Sequence, residues 1–464
     1  MSAQLQLVPT WNLDPLPASD QPSVAYLLVD IVQDLAETSD GDAQPSNANS
    51  QLATRNSQLI NLSLVLDTSG SMAGAKLQSL KQAVRWVIDH LNPEDTIAVT
   101  LFDDEVHPFA PSTRVSEART MLDRLDAVRE AGGTAMSKGL QVGLEESLKG
   151  RTPGAVSRII VLTDGQTWGD AEQCKELARQ AGQAGVPITA LGVGTEEDWS
   201  IELLDALASE SGGVSGYIAK PDEISAAFES TVLAMQSAQA SNLRIRTDPS
   251  VGVSVRAVYR VAPIISKLWP APGAAEEEQP QTSDTDGSFT IPLGDVQSGA
   301  GQTLLYEFLL PARKPGQYRL ARLSLNYETS DRPHSQNQTG VDLVATFAVG
   351  AGRGPGDPRV MNSVEKATTF RLQTRALQAS MVGDVAAATR NLRAAATRLL
   401  NMGETELADA AEKEAQALES GGQMSAAGTK KLAFDTRKLA VAEMEGTKAS
   451  TVRFDDEEAV TSSE

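Results

Sequence analysis

Cysteine is nearly absent: Cys174 is the single one in 464 residues. That excludes an internal disulfide framework and predicts a reducing compartment. Histidine is scarce as well. The three present, His90, His107 and His334, stand far apart without zinc-ligand spacing. Basic residues are outnumbered, 40 against 61 acidic ones, for a formal charge of −21. Phosphate backbones and anionic membrane surfaces would be repelled, so nucleic acid is excluded as a partner. No apolar run is long enough to span a bilayer. The amino terminus, MSAQLQLVPTWNLDP, has neither a basic region nor an apolar core, so no signal peptide is expected and a cytoplasmic location is.

The strongest pattern runs from Ile60 to Gly74, INLSLVLDTSGSMAG. Leu62, Leu64, Val65 and Leu66 form a short apolar run, as in a strand buried on both faces. It stops at Asp67-Thr68-Ser69-Gly70-Ser71. Leu77, Leu80, Val84, Val87, Ile88 and Leu91 then recur at helical spacing. A carboxylate and two hydroxyls therefore fall on a tight loop at the carboxyl end of a central strand, the edge where open α/β sheets bind ligands. Such oxygens suit magnesium.

Strand and helix patterns alternate from Ser57 to about Ala240, as a doubly wound, mainly parallel sheet requires. DTIAVTLF (95–102) leads to the acidic corner Asp103-Asp104-Glu105, read as a solvated turn, and a helix is expected over 116–128 with Ser116 as its cap. Ala131-Gly132-Gly133-Thr134 precedes a further helix, and RIIVLT (158–163) runs into Asp164-Gly165. VPITALGV (186–193) and 214–218 complete the strands. A last helix over 222–240 leads straight into the strand at Asn242. A shift of that helix would move the next unit with it, unless the two form a fixed pair.

Residues 241–350 change character: strand-like runs without helices between them predict a β-sandwich. VAYLLVDIV (24–32) has no core of its own, so the strands before Gln33 are expected to complete that sandwich, with the α/β unit inserted between its halves. The expected organisation is thus 1–55, early strands and a polar loop; 56–240, the α/β unit; and 241–350, the sandwich. A glycine-proline linker (GAGRGPGDP, closing at 351–358) comes next, then an α-helical region over 359–442 and an acidic, disordered tail over 443–464.

Asp67-x-Ser69-x-Ser71, with Thr134 and Asp164, matches the signature of von Willebrand factor A (vWA) domains, and the chain resembles bacterial members of that superfamily. The resemblance implies a metal ion-dependent adhesion site in which Asp67, Ser69, Ser71, Thr134 and Asp164 hold Mg²⁺ or Mn²⁺. It also implies a partner protein that supplies an acidic residue to the ion. Capping of the next helix by Asp67 and Ser71 is the plainer alternative, but it leaves Thr134 and Asp164 unexplained. The expected function is non-enzymatic, metal-dependent protein–protein interaction. Alternatives are an accessory role in an ATPase or kinase/phosphatase signalling complex, and a metal-dependent hydrolase, for which no general base is evident. Gly70-x-x-x-Gly74-Ala75-Lys76 falls short of a phosphate loop, because Ala75 intervenes and Leu77 comes after the lysine. Thr429, Thr436 and Thr451 each have an apolar residue three positions on, a pattern favoured by phosphothreonine-reading forkhead-associated domains. Heptad spacing of Leu432 and Leu439 is the simpler reading.

Overall fold

The structure, a computed structural model, describes residues 4–33, 58–165, 169–194, 200–270, 287–297, 299–329, 337–352, 354–421 and 424–439. The polar loop around 37–57, the glutamates at 276–278, the acidic tail and Thr451 lie outside them. In chain order the chain forms β1 (Leu5–Trp11), β2 (Leu16–Pro17), β3 (Ser23–Gln33), β4 (Ile60–Asp67), α1 (Ala75–His90), β5 (Thr96–Phe102) and β6 (Val106–Arg114). Next come α2 (Val115–Ala118), α3 (Leu122–Leu125), α4 (Met136–Lys149), β7 (Val156–Thr163), α5 (Ala171–Ala184), β8 (Ile188–Val193), α6 (Ile201–Ser211), β9 (Val214–Ile218) and α7 (Ile224–Gln236). The sandwich continues with β10 (Ala238–Pro249), β11 (Ser254–Ala262), β12 (Ser266–Trp269), β13 (Phe289–Gln297), β14 (Gln302–Leu310), β15 (Gly316–Thr329) and β16 (Asn337–Ala348). The helical region consists of α8 (Pro358–Met381), α9 (Val385–Asn401), α10 (Thr405–Gly421) and α11 (Ala426–Asp435).

The α/β sheet has the order β6-β5-β4-β7-β8-β9, parallel except for β6. Every residue of β4 and β7 is buried. Their side chains alternate between two cores, because a strand points successive residues to opposite faces. Leu62, Leu64 and Leu66 pack with α1 and α7 on one face, while Val65 joins α4, α5 and α6 on the other. The connection from β4 goes out to β5 and returns to β7, so the order reverses between β4 and β7. Their carboxyl ends flank the crevice that such a reversal opens.

The early strands do complete the sandwich. One sheet is β1-β3-β14-β11-β12 and the other β13-β10-β15-β16-β2. β3 pairs with β14 along its length, Ser23 opposite Leu310 through Ile31 opposite Gln302. Its lack of alternation has a simple cause, since both of its faces are covered. Leu27, Val29 and Ile31 enter the core between the sheets, while Leu28 packs beneath the helical region. That region lies on the outside of the β3-β14-β11 sheet. The glycine-proline stretch before it is no free tether: the Asp357 N–H donates to the Asn12 carbonyl at 2.8 Å, and the Asp357 carboxylate caps α8.

Several local expectations differ from the structure. Arg114, not Ser116, precedes the helix, which breaks into α2, a 3-10 turn and α3. Thr120 Oγ1 donates to the Glu117 carbonyl at 2.7 Å, competing for backbone that a continuous helix would use. The last helix ends at Gln236 and strand begins at Ala238. β6 was hidden by Pro108 and Pro111, which an edge strand tolerates. Asp103 is buried rather than solvated, holding the Glu105 N–H at 2.8 Å. Thr436 is fully buried, so it is not the exposed phosphoacceptor that a forkhead-associated partner would read. Cys174 is a buried hydrophobe whose thiol burial pushes up to about 12.

Arginines fasten the α/β unit to its neighbours. The Arg158 Nη2 donates to Asp295 Oδ2 at 2.6 Å, with both side chains nearly buried. Arg244 donates to the Gly182 and Gln183 carbonyls at the end of α5. Arg437 holds Asp205 with two bonds and Ser215 Oγ with a third, joining the helical region to α6 and β9. Removing one partner of a buried pair strands the other charge. Arg158→Ala is therefore expected to lower unfolding stability by about 3 kcal/mol. Arg114→Ala, at an exposed pair with Glu94, should cost less than about 1 kcal/mol. Denaturant unfolding of both variants checks this, and equal costs would refute the role of the seam.

Candidate functional site

Asp67 ends β4 and Asp164 directly follows β7, and both carboxylates are completely buried. Asp67 Oδ1 accepts the Ser69 N–H at 2.8 Å, and Oδ2 accepts Thr163 Oγ1 at 2.6 Å. Ser69 Oγ and Ser71 Oγ lie 3.0 Å apart, and Ser71 Oγ donates to Asp164 Oδ1 at 2.6 Å. The Lys76 ammonium, in the first turn of α1, takes Asp164 Oδ2. A continuous polar chain thus runs from Ser69 through Ser71 and Asp164 to Lys76, with Ser71 exposed at its outer edge.

Thr134 is brought to the same edge by the packing of α4. A Cβ on Gly143 would lie 2.1 Å from Val65 Cγ2, so glycine alone lets α4 sit this close to β4. Ser63 Oγ donates to the Gly143 carbonyl at 2.9 Å and holds the helix there. The loop before α4 is clipped to the Asp67 loop twice, Ala131 N–H to Thr68 O at 3.0 Å and Gly70 N–H to Gly132 O at 3.2 Å. Gly132 turns that loop at φ +62°, where a side chain would also strike Asp104. Thr134 Oγ1 would stand 2.8 Å from a Cβ on Gly165, beside Asp164.

All five predicted residues therefore meet at one sheet edge. They present two carboxylates and three hydroxyls, hard oxygens of the kind divalent cations take. Sequence reasoning missed Lys76 and Thr163. Lys76 was visible only as part of a failed phosphate-loop match, and Thr163 as the one hydroxyl closing an apolar strand. Of the histidines, His107 lies beside Asp103 with Nε2 3.2 Å from Oδ2. His90 stacks on Trp86 at the surface with ring centroids 4.0 Å apart.

Sheet order, switch-point crevice and site together define a von Willebrand factor type A domain, and residues 61–230 match the model of that family. That stretch of the chain is a vWA domain. Its helical region, 358–442, matches a second model, the Sll0103-like, C-terminal alpha-helical domain. Among curated proteins it is 29% identical over 273 residues to uncharacterized protein sll0103 of Synechocystis, covering 58% of this chain and 61% of that protein. It is 22% identical over 260 residues to uncharacterized protein YfbK of Escherichia coli, covering 55% of this chain and 42% of that protein. The chain thus spans under two thirds of the length of either relative. A solved structure, a von Willebrand factor type A protein from Catenulispora acidiphila, superposes with a TM-score of 0.70. It covers 94% of this chain and 97% of its own at 17% identity, a likeness of fold.

Burial pushes the Asp67 carboxyl up from its ordinary 3.8 to about 6. Hydrogen bonds from Thr163 and Ser69 pull the other way, and the Asp164 charge adds to the rise. The folded chain then holds this proton more tightly than the unfolded chain. Stability therefore falls as pH rises from about 4 to about 6 and levels off above. Asp67→Asn removes the buried charge. In EDTA at pH 8 this variant is expected to be more stable than wild type by about 2 kcal/mol and to lack that step. Urea unfolding across pH checks it; a variant less stable than wild type at pH 8 contradicts the assignment.

Proposed function

We propose that the chain is a non-enzymatic interaction protein whose vWA site holds one Mg²⁺ or Mn²⁺ and takes an acidic side chain from a partner protein. The observation that carries this reading is the meeting of Asp67, Ser69, Ser71, Thr134 and Asp164 at the β4–β7 crevice, with two buried carboxylates served by a single ammonium. Two anions and one cation leave the site short of positive charge, and a divalent ion would supply it. Ser71 and Thr134 lie where solvent reaches the crevice, so an outside carboxylate can approach from that side. Magnesium characteristically keeps positions open for such a ligand. A hydrolytic reading needs a general base near the metal, and the ring of His107 is paired with Asp103.

Titration calorimetry of Mg²⁺ and Mn²⁺ into the chain should show one site, lost in Asp67→Ala. Affinity should weaken as pH falls through about 6, because a proton on Asp67 competes with the ion. Lys76→Met, which removes the competing ammonium, should tighten binding by about tenfold. Capture of partner chains on immobilised protein should require Mg²⁺ and fail in EDTA. Wild-type affinity in Asp67→Ala would overturn the site, and capture indifferent to Mg²⁺ would overturn its role.

A further inference from the structure

Where the three parts of the chain meet, α6 and β9, β11 and β12, and α8 and α11 line a partly open cavity of about 820 Å³. That volume suits a small organic ligand. Five cationic side chains line it against two carboxylates, in a chain whose formal charge is −21. The cavity therefore concentrates the sign of charge that the rest of the molecule lacks.

The cations differ in how they are satisfied. Arg437 meets a carboxylate, with two bonds to Asp205 and a third to Ser215 Oγ, although its Nε has no partner among the described residues. Arg371 reaches Glu307 Oε2 at 3.5 Å, while Arg256 holds the other oxygen of that carboxylate at 3.1 Å. Arg260, 3% exposed, has no carboxylate among the described residues. It donates to two carbonyls, Gly213 O at 3.2 Å and Leu293 O at 3.1 Å, and its Nε has no partner among the described residues. Burial, with Arg158 nearby, holds this guanidinium down to about 10. Arg158 and Arg437, buried along the same seams, each meet an anion, Asp295 and Asp205. Arg260 is left with neutral acceptors, and a buried charge without a counter-ion is costly.

Two neutral groups at the same cavity are unsatisfied too. Among the described residues, Gln373, 3% exposed, has no partner for either amide atom, and Ser266 Oγ has none. Buried polar groups are ordinarily paired, so three such groups around one cavity point to something that belongs there. The remaining wall is apolar, with Ile265, Phe370 and Leu377 among its residues.

We infer that this cavity binds a small amphipathic anion, its carboxylate or phosphate head beside Arg371 and its apolar body against Ile265, Phe370 and Leu377. The unneutralised Arg260 under the wall supplies a field that favours the anion. Such a ligand touches the vWA unit, the sandwich and the helical region at once. The site is separate from the β4–β7 crevice, so this inference stands or falls independently of metal binding.

The test uses the full chain in EDTA with the fluorescent sulfonate 8-anilinonaphthalene-1-sulfonate as probe. Octanoate, octyl phosphate and octyltrimethylammonium then compete for the site. The expected result is saturable binding of one probe per chain, displaced by octanoate or octyl phosphate, with the stronger of the two naming the head group. Octyltrimethylammonium, with the same chain and the opposite charge, should compete at least about tenfold more weakly. Arg371→Gln, at a side chain one-third exposed, should weaken the anions about tenfold while leaving the unfolding transition in place. Met381→Trp, on a rim residue 77% exposed, should reduce probe binding by narrowing the mouth. Arg260→Met should abolish anion preference, and if it does not fold, Arg371→Gln and Met381→Trp carry the test. Absence of saturable binding, equal competition by the cation, or unchanged anion affinity in Arg371→Gln would each overturn the proposal.

Discussion

The pairing of β3 with β14 is the constraint on which the architecture depends. Residues 23–31 and 302–310 are separated by the whole vWA unit and four strands of the sandwich, yet they form one uninterrupted antiparallel ladder. β1 pairs with β3 in that sheet, so the ladder joins both early strands to β14. The outer face of the ladder also carries the helical region, through Leu28 and Leu305. Its inner face closes the core of the sandwich through Leu27, Val29, Ile31, Leu304 and Tyr306. The two ends of the chain thus support each other through a single pair of strands.

Charge is handled in two ways. On the seams, guanidinium groups bind carboxylates or carbonyls of the next unit, with planar geometry that fits either acceptor. At the β4–β7 crevice the sign is reversed, and anions are buried at the end of strands that are otherwise largely apolar. Strand β4 can carry Asp67 there because Thr163 and the Ser69 backbone satisfy both oxygens and offset part of the rise in proton affinity that burial imposes. Hydrophobic packing on both faces fixes where the strand stops, and the polar loop begins at that point.

Much of this was legible in the residues. The apolar runs at 62–66 and 158–163 marked strands covered on both sides. The Asp-x-Ser-x-Ser spacing located three of the five oxygen donors of the site, with Asp164 at the end of another buried strand. The dense apolar run at 24–32 correctly demanded a partner elsewhere, although nothing in it named β14. What stayed hidden depended on distant contacts or on local exceptions. β6 contains two prolines, and β2 and β12 are only two and four residues long. Lys76 entered only through a failed phosphate-loop match, and nothing local sets it beside Asp164, 88 positions on. The clasp between Arg437 and Asp205 joins residues 232 positions apart, and no local pattern signals such a pair. Thr436 shows the opposite hazard, a short motif whose spacing served the burial of Leu432 and Leu439 instead.

The ladder also has a consequence in time. During synthesis at about 5–20 residues per second, β3 emerges roughly 13 to 54 seconds before β14 exists. Over that interval the vWA unit, whose strands are neighbours in sequence, can close upon itself. The segment VAYLLVDIV meanwhile has an open edge and two sticky faces, and β1 covers only one edge of it. Such an unpaired apolar strand is a template for the wrong neighbour. Ribosome-bound chains of intermediate length should therefore be the stage at which this protein most needs a chaperone, and the hazard ends when residue 310 leaves the exit tunnel.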